Sequence, residues 1–124
     1  MFDCLYTFLF IHLDVPRQAT EFQEITESIT ETSARLSWKP GFNGGLPQTF
    51  IIQYRTDSNV WTNTTAIPDN QAMEMNYTLT QLSPGTMYTA QIFAYNAKGE
   101  SGTTSLITFS TLKSNGKLKQ YTKL

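Results

Sequence analysis

The stretch from Leu82 to Asn96, Leu-Ser-Pro-Gly-Thr-Met-Tyr-Thr-Ala-Gln-Ile-Phe-Ala-Tyr-Asn, leaves this chain few ways to fold. From Tyr88 the small or apolar residues Ala90, Ile92 and Ala94 recur at every second place, with Thr89 and Gln91 between them, which is the period of a strand with one buried face. Immediately upstream, Pro84-Gly85 forces a reversal, because proline fixes φ and glycine accepts the positive φ of a tight turn. A tyrosine that follows such a turn can bury its ring and return its hydroxyl to nearby backbone, the corner found in antiparallel sandwiches. Leu82 closes the core before that corner.

Other segments repeat the alternation. In Ser33 to Trp38, Ala34, Leu36 and Trp38 share one face, and the tryptophan ring suits the gap between two packed sheets. Phe50, Ile52 and Tyr54 point inward on the next strand, with Ile51, Gln53 and Arg55 outward. Residues 60–67 read as a short strand ended by Pro68, and Tyr77 with Leu79 continues the core. After Asn96 a loop, Ala97 to Gly102, turns back into a last strand bearing Ile107 and Phe109 on one face. Before all of these, Phe22, Ile25 and Ile29 are spaced irregularly, which predicts a bulge or break in the first strand. Turn signals at short intervals and the absence of a helical period predict an all-β fold, a seven-stranded antiparallel β-sandwich of immunoglobulin-like type.

The chain has 124 residues, 40% hydrophobic and 13% aromatic, enough for one core without covalent help. Cys4 is the sole cysteine, so an internal disulfide is excluded. A net charge of −1 gives no reason to expect nucleic acid as a partner. Residues 1–18 are expected to be an N-terminal segment and linker, residues 19–112 the domain, and residues 113–124, with four lysines and no acids, a basic tail or linker. The apolar residues 1–13 admit three readings. They are too short for a membrane helix of about 20 residues. They lack the basic start and small-residue cleavage pair of a signal peptide. The reading adopted is the end of whatever precedes the domain, with Pro16 stiffening the joint.

Leu82, Pro84, Thr86 and Tyr88 form the pattern Leu-x-Pro-x-Thr-x-Tyr, which resembles the fibronectin type III family. The resemblance covers about residues 19–112, implies that topology for the sandwich, and places a tryptophan where Trp38 stands. The phrase Lys39 to Pro47, continuing into Gln48-Thr49-Phe50, resembles the repeats that follow immunoglobulin domains in nephrin-like and sidekick-like adhesion proteins. Family members normally lack a disulfide, so the single cysteine does not place the chain inside the cell.

Catalysis needs a base near a nucleophile or a metal, and the only histidine, His12, falls outside the sandwich. No Cys/His cluster, phosphate loop or calcium loop is present in the sequence. Glu21, Glu24, Glu27 and Glu31 read as a solvated acidic edge that discourages pairing with other chains. An enzyme, a cofactor and a metal site are therefore not expected. Some family members carry Arg-Gly-Asp after the sixth strand. This chain has Ala97-Lys98-Gly99-Glu100-Ser101, so integrin recognition by that route is not expected.

Two glycosylation sequons occur, Asn63-Thr64-Thr65 and Asn76-Tyr77-Thr78. Coincidence in a threonine-rich chain stands against them. In their favour, Asn76 and Thr78 must face water if Tyr77 and Leu79 face the core. Alternation also places Phe93 and Tyr95 outward, beside outward Ile51, so Ile51, Arg55, Trp61, Phe93 and Tyr95 are candidates for protein binding. Against that, Trp61 or the lysine and arginine stems can cover the apolar groups, and single exposed hydrophobes are ordinary.

The resemblance implies a non-catalytic extracellular spacer and protein-binding module of a larger cell-surface adhesion or receptor protein. Its partners would be a protein or neighbouring domains of the same chain, without direct membrane contact by the sandwich. Two alternatives stay open: an accessory module of a secreted carbohydrate-active enzyme, and a repeat of an intracellular structural array. The sequons speak against the second of these, and the loop from Lys39 to Pro47 speaks against the first.

Overall fold

A computed structural model describes residues 12–114, so the expectations for residues 1–11 and 115–124 lie outside the described residues. Strands β1 (Thr20–Glu24), β2 (Ala34–Lys39) and β6 (Met75–Leu79) form one sheet in the order β1-β2-β6. The other sheet is built on β3 (Thr49–Arg55) and β7 (Met87–Asn96). β3 carries β4 (Thr62–Asn63) and β5 (Ile67–Pro68) on its free side, and β7 carries β8 (Gly99–Glu100) and β9 (Ile107–Ser110). All pairings are antiparallel. Counting each interrupted pair as one strand gives the seven-stranded sandwich that the alternation predicts.

Alternation decides which side chains fill the space between the sheets. Trp38, Phe50, Leu36, Ile52, Leu79 and Ile92 are the largest fully buried side chains, and each sits at an inward parity of its strand. Trp38 tilts against Phe50 across the two sheets with ring centroids 5.4 Å apart. Asn76 and Thr78 face solvent while Met75 and Leu79 are buried, so the parity of β6 follows the same rule.

The outer strands are interrupted where a side-chain hydroxyl takes the place of a ladder carbonyl. Thr64 Oγ1 accepts from the Ile52 N–H at 3.1 Å while the Thr64 N–H donates to the Ile52 carbonyl at 2.9 Å. The single strand expected over residues 60–67 is consequently two short pieces. On the other flank the N–H groups of Ala94 and Ile92 donate to Ser101 Oγ and Thr104 Oγ1 at 2.8 and 3.1 Å, which separates β8 from β9. In the first sheet the pairing of β1 shifts register between Thr20 and Gln23, with Glu21 at φ 54°, and Ser28 Oγ then accepts from the Arg35 N–H at 2.8 Å. Buried N–H groups must find acceptors, and the hydroxyls supply them.

Residues 14–17, within the segment expected as a linker stiffened by Pro16, are hydrogen-bonded to the domain. The N–H of Asp14 donates to the Gly44 carbonyl at 2.9 Å, and that of Arg17 to Phe42 at 2.8 Å. Pro16 is buried. Gly44, at φ 78°, permits this approach, since a Cβ there would stand 2.1 Å from the Asp14 carbonyl oxygen. The Asn43-Gly44-Gly45 turn thus serves as the seat of the incoming chain, a long-range contact that the local composition of residues 14–18 does not encode.

Candidate interaction face and its supports

The sheet built on β3 and β7 turns its outer face to solvent. Register places Thr49 opposite Tyr95, Ile51 opposite Phe93, Gln53 opposite Gln91 and Arg55 opposite Thr89. Ile51, Phe93 and Tyr95 are half-buried, adjoining one another across the two strands. Arg55 lies over Trp61 with Cζ 4.2 Å from the ring centroid, a cation–π contact. These groups do not merge into one patch. Between them runs a row of amides: Gln91 Nε2 donates to Gln53 Oε1 at 2.9 Å, and Gln53 Nε2 donates to Asn63 Oδ1 at 3.2 Å. Arg55 stands four residues from Ile51 along β3, about 13 Å at the rise of a strand. The face therefore has an apolar end and an arginine–tryptophan end, with hydrogen-bonded amides between.

The corner that holds β7 is explicit. Tyr88 is buried, and its hydroxyl accepts from the Ser83 N–H at 2.8 Å. The backbone partner is thus a donor, not the acceptor that a tyrosine hydroxyl usually seeks. Thr111, just after β9, completes the corner, with Oγ1 donating to the Ser83 carbonyl at 2.6 Å and accepting from the Thr86 N–H at 3.0 Å. Leu82 is buried beneath the turn and Pro84 exposed upon it. The Tyr88 ring stacks on Phe109 and tilts against Tyr54. Burial, and then the neighbouring Tyr88 and Tyr77, raise the Tyr54 phenol above its ordinary 10.0.

Sequence reasoning missed Asn96 and Gln48. Asn96 is buried, donating Nδ2 to the carbonyls of Asp14 and Asn43 at 2.7 and 2.8 Å and accepting from the N–H of Lys98 at 2.8 Å. Its signal was present, because Asn96 continues the inward parity of Ala90, Ile92 and Ala94, and an inward amide must be partnered. Gln48 Nε2 reaches the Gly41 carbonyl at 3.0 Å and Asp69 Oδ2 at 2.8 Å, and nothing local marked it.

Among the described residues no group of three His, Cys, Asp or Glu side chains could hold a metal ion, and no helix is long and apolar enough to cross a membrane. Asn63, Thr65, Asn76 and Thr78 are all exposed.

The model of the fibronectin type III domain matches residues 20–111. The chain belongs to the fibronectin type III family. Human nephrin is 43% identical over 75 residues, covering 60% of this chain and 6% of nephrin. Protein turtle of Drosophila melanogaster is 28% identical over 95 residues, 72% of this chain and 6% of that protein. The Xenopus laevis protein called cell adhesion molecule-related/down-regulated by oncogenes is 36% identical over 85 residues, 63% of this chain and 6% of that protein. The fibronectin type III domain thus corresponds to a small part of each relative. A crystal structure of titin domains shares the fold at 22% identity and a TM-score of 0.66, over 81% of this chain and 33% of that one. A solution structure of the third fibronectin III domain of a human protein does so at 20% identity and a TM-score of 0.65, over 82% of this chain and 86% of that one.

Proposed function

We propose that this fibronectin type III domain is a non-catalytic extracellular module of a larger cell-surface adhesion or receptor protein, that it spaces neighbouring domains, and that it binds a protein through the outer face of β3, β4 and β7. The observation that carries the binding role is the row Ile51, Phe93 and Tyr95, three apolar side chains adjoining on a solvent-facing sheet. Aromatic side chains and arginine are enriched where interfaces concentrate their energy, and the Arg55–Trp61 pair supplies a second anchor on the same face. Similarity to nephrin and to a cell adhesion molecule-related protein supports placing such a module at the cell surface.

The test replaces Phe93 and Tyr95 together with serine. Outer-face cross-strand pairs contribute about 0.2 to 1 kcal/mol each, so the variant is expected to unfold cooperatively with a modest loss of stability. It should lose binding to cells that display the parent protein. A folded variant that keeps every interaction would leave the module a spacer only. A variant that unfolds would show the two rings to be structural.

A further inference from the structure

The two sequons stand on the two sheet edges that share one flank of the sandwich. Among the described residues β6 pairs only with β2, and β4 only with β3, so each has an unpaired outer side. β1 lies against β9 on the opposite flank, which places the edges formed by β6 and β4 on the same one. Asn76 is in β6 and Asn63 in β4, both exposed, and the threonines that complete the sequons, Thr78 and Thr65, are exposed as well. In β4 the Asn63 side-chain oxygen Oδ1 accepts from Gln53 Nε2, which leaves Nδ2, the atom that carries a glycan, outside that contact.

We infer that Asn63 and Asn76 are both N-glycosylated, and that the two glycans together cover the flank where the sandwich presents unpaired strand edges. The transfer uses a polyisoprenyl pyrophosphate-linked oligosaccharide. The Asn Nδ2 forms a bond to the anomeric carbon, and the carbon–oxygen bond to the pyrophosphate breaks with its electron pair leaving on the phosphate oxygen. One amide proton passes to a base of the transferase. Both side chains point away from the core, so the attached sugars displace no packing. Unpaired strands are templates for pairing with other chains, and a bulky hydrophilic group beside each edge opposes that pairing. The Asn63 glycan also stands at the amide row, leaving the apolar end of the outer face as the approach for a partner.

In nature this rests on the extracellular placement proposed above, and the experiment separates the two. The full chain is expressed in animal cells behind a secretion signal, which brings it to the glycosylating compartment wherever its parent resides. Treatment of the secreted protein with a glycan-removing amidase is expected to lower its mass by two glycans. N63Q and T65A should each lose one of them, and N76Q and T78A the other. A secreted protein with one glycan or none overturns the inference. Because the glutamine variants can impair folding, the shielding is read on the folded wild type, deglycosylated after secretion. That protein is expected to shift toward dimers and larger species at concentrations where the glycosylated form is monomeric. An unchanged sedimentation profile overturns the shielding.

Discussion

Tyr88 shows how much a single polar atom can govern in this fold. Its hydroxyl is the acceptor for the Ser83 N–H inside a corner that Thr111 closes from the other side. Tyr88→Phe keeps the ring stacked on Phe109 but leaves that part-buried donor without its partner, a loss of roughly 1 kcal/mol. A denaturant midpoint equal to wild type would refute the assignment. Tyr54, a neighbour in the same cluster, makes a prediction of a different kind. Burial first, and then Tyr88 and Tyr77, hold its proton more tightly in the folded state than in the unfolded chain, where it titrates near 10.0. The folded state therefore binds more protons there, so this contribution to stability is complete below that pH and is lost as pH rises through the folded-state value. Tyr54→Phe is expected to flatten the alkaline fall of stability, read as the difference between the two proteins' unfolding midpoints across that range.

At the scale of the element, this sandwich joins regular inner strands to interrupted outer ones. β3 and β7 pair over seven consecutive positions, whereas their outer neighbours are repaired by the hydroxyls of Thr64, Ser101 and Thr104. Thr64→Val preserves size and leaves the sequon at Asn63 intact, while the Ile52 N–H loses its acceptor. Stability should fall by roughly 1 to 3 kcal/mol, and the amide of Ile52 should exchange faster with solvent. Unchanged protection would mean that the hydroxyl is incidental.

For the whole molecule, the incoming chain is a structural part of the domain. Asn96 fastens the carbonyls of Asp14 and Asn43 together, so the approach of residues 14–17 is fixed against the turn at Gly44. A chain trimmed to residues 12–114 is expected to retain the cooperative transition of the full protein. Starting at residue 19 instead removes the buried Pro16 and an acceptor of the buried Asn96 amide, which costs roughly 1 to 3 kcal/mol. Equal midpoints for the two trimmed chains would show that residues 12–18 add nothing to the stability of the domain. Asn96→Ala should loosen the same joint, seen as faster exchange of the Asp14 and Arg17 amides.

The sequence by itself determined the sandwich and its inside. Period-2 alternation assigned Leu36, Trp38, Phe50, Ile52, Leu79 and Ile92 to the core, because the side chains of a strand have only two faces and one must be dry. It also located the corner at Tyr88, since turn chemistry is local. Parity also put Ile51, Phe93 and Tyr95 on the outer side of the second sheet with Gln53, Arg55 and Gln91 around them, but the pairing of Trp61 with Arg55 depends on the path of the loop between β3 and β4, which alternation does not give. Only the tertiary structure decided that Gln91, Gln53 and Asn63 link their amides across that face, that hydroxyls interrupt the outer strands, and that Asp14 rests on Gly44. Each of these joins residues far apart in the chain through polar atoms, and such pairings are set by which backbone groups remain unsatisfied once the sheets have packed.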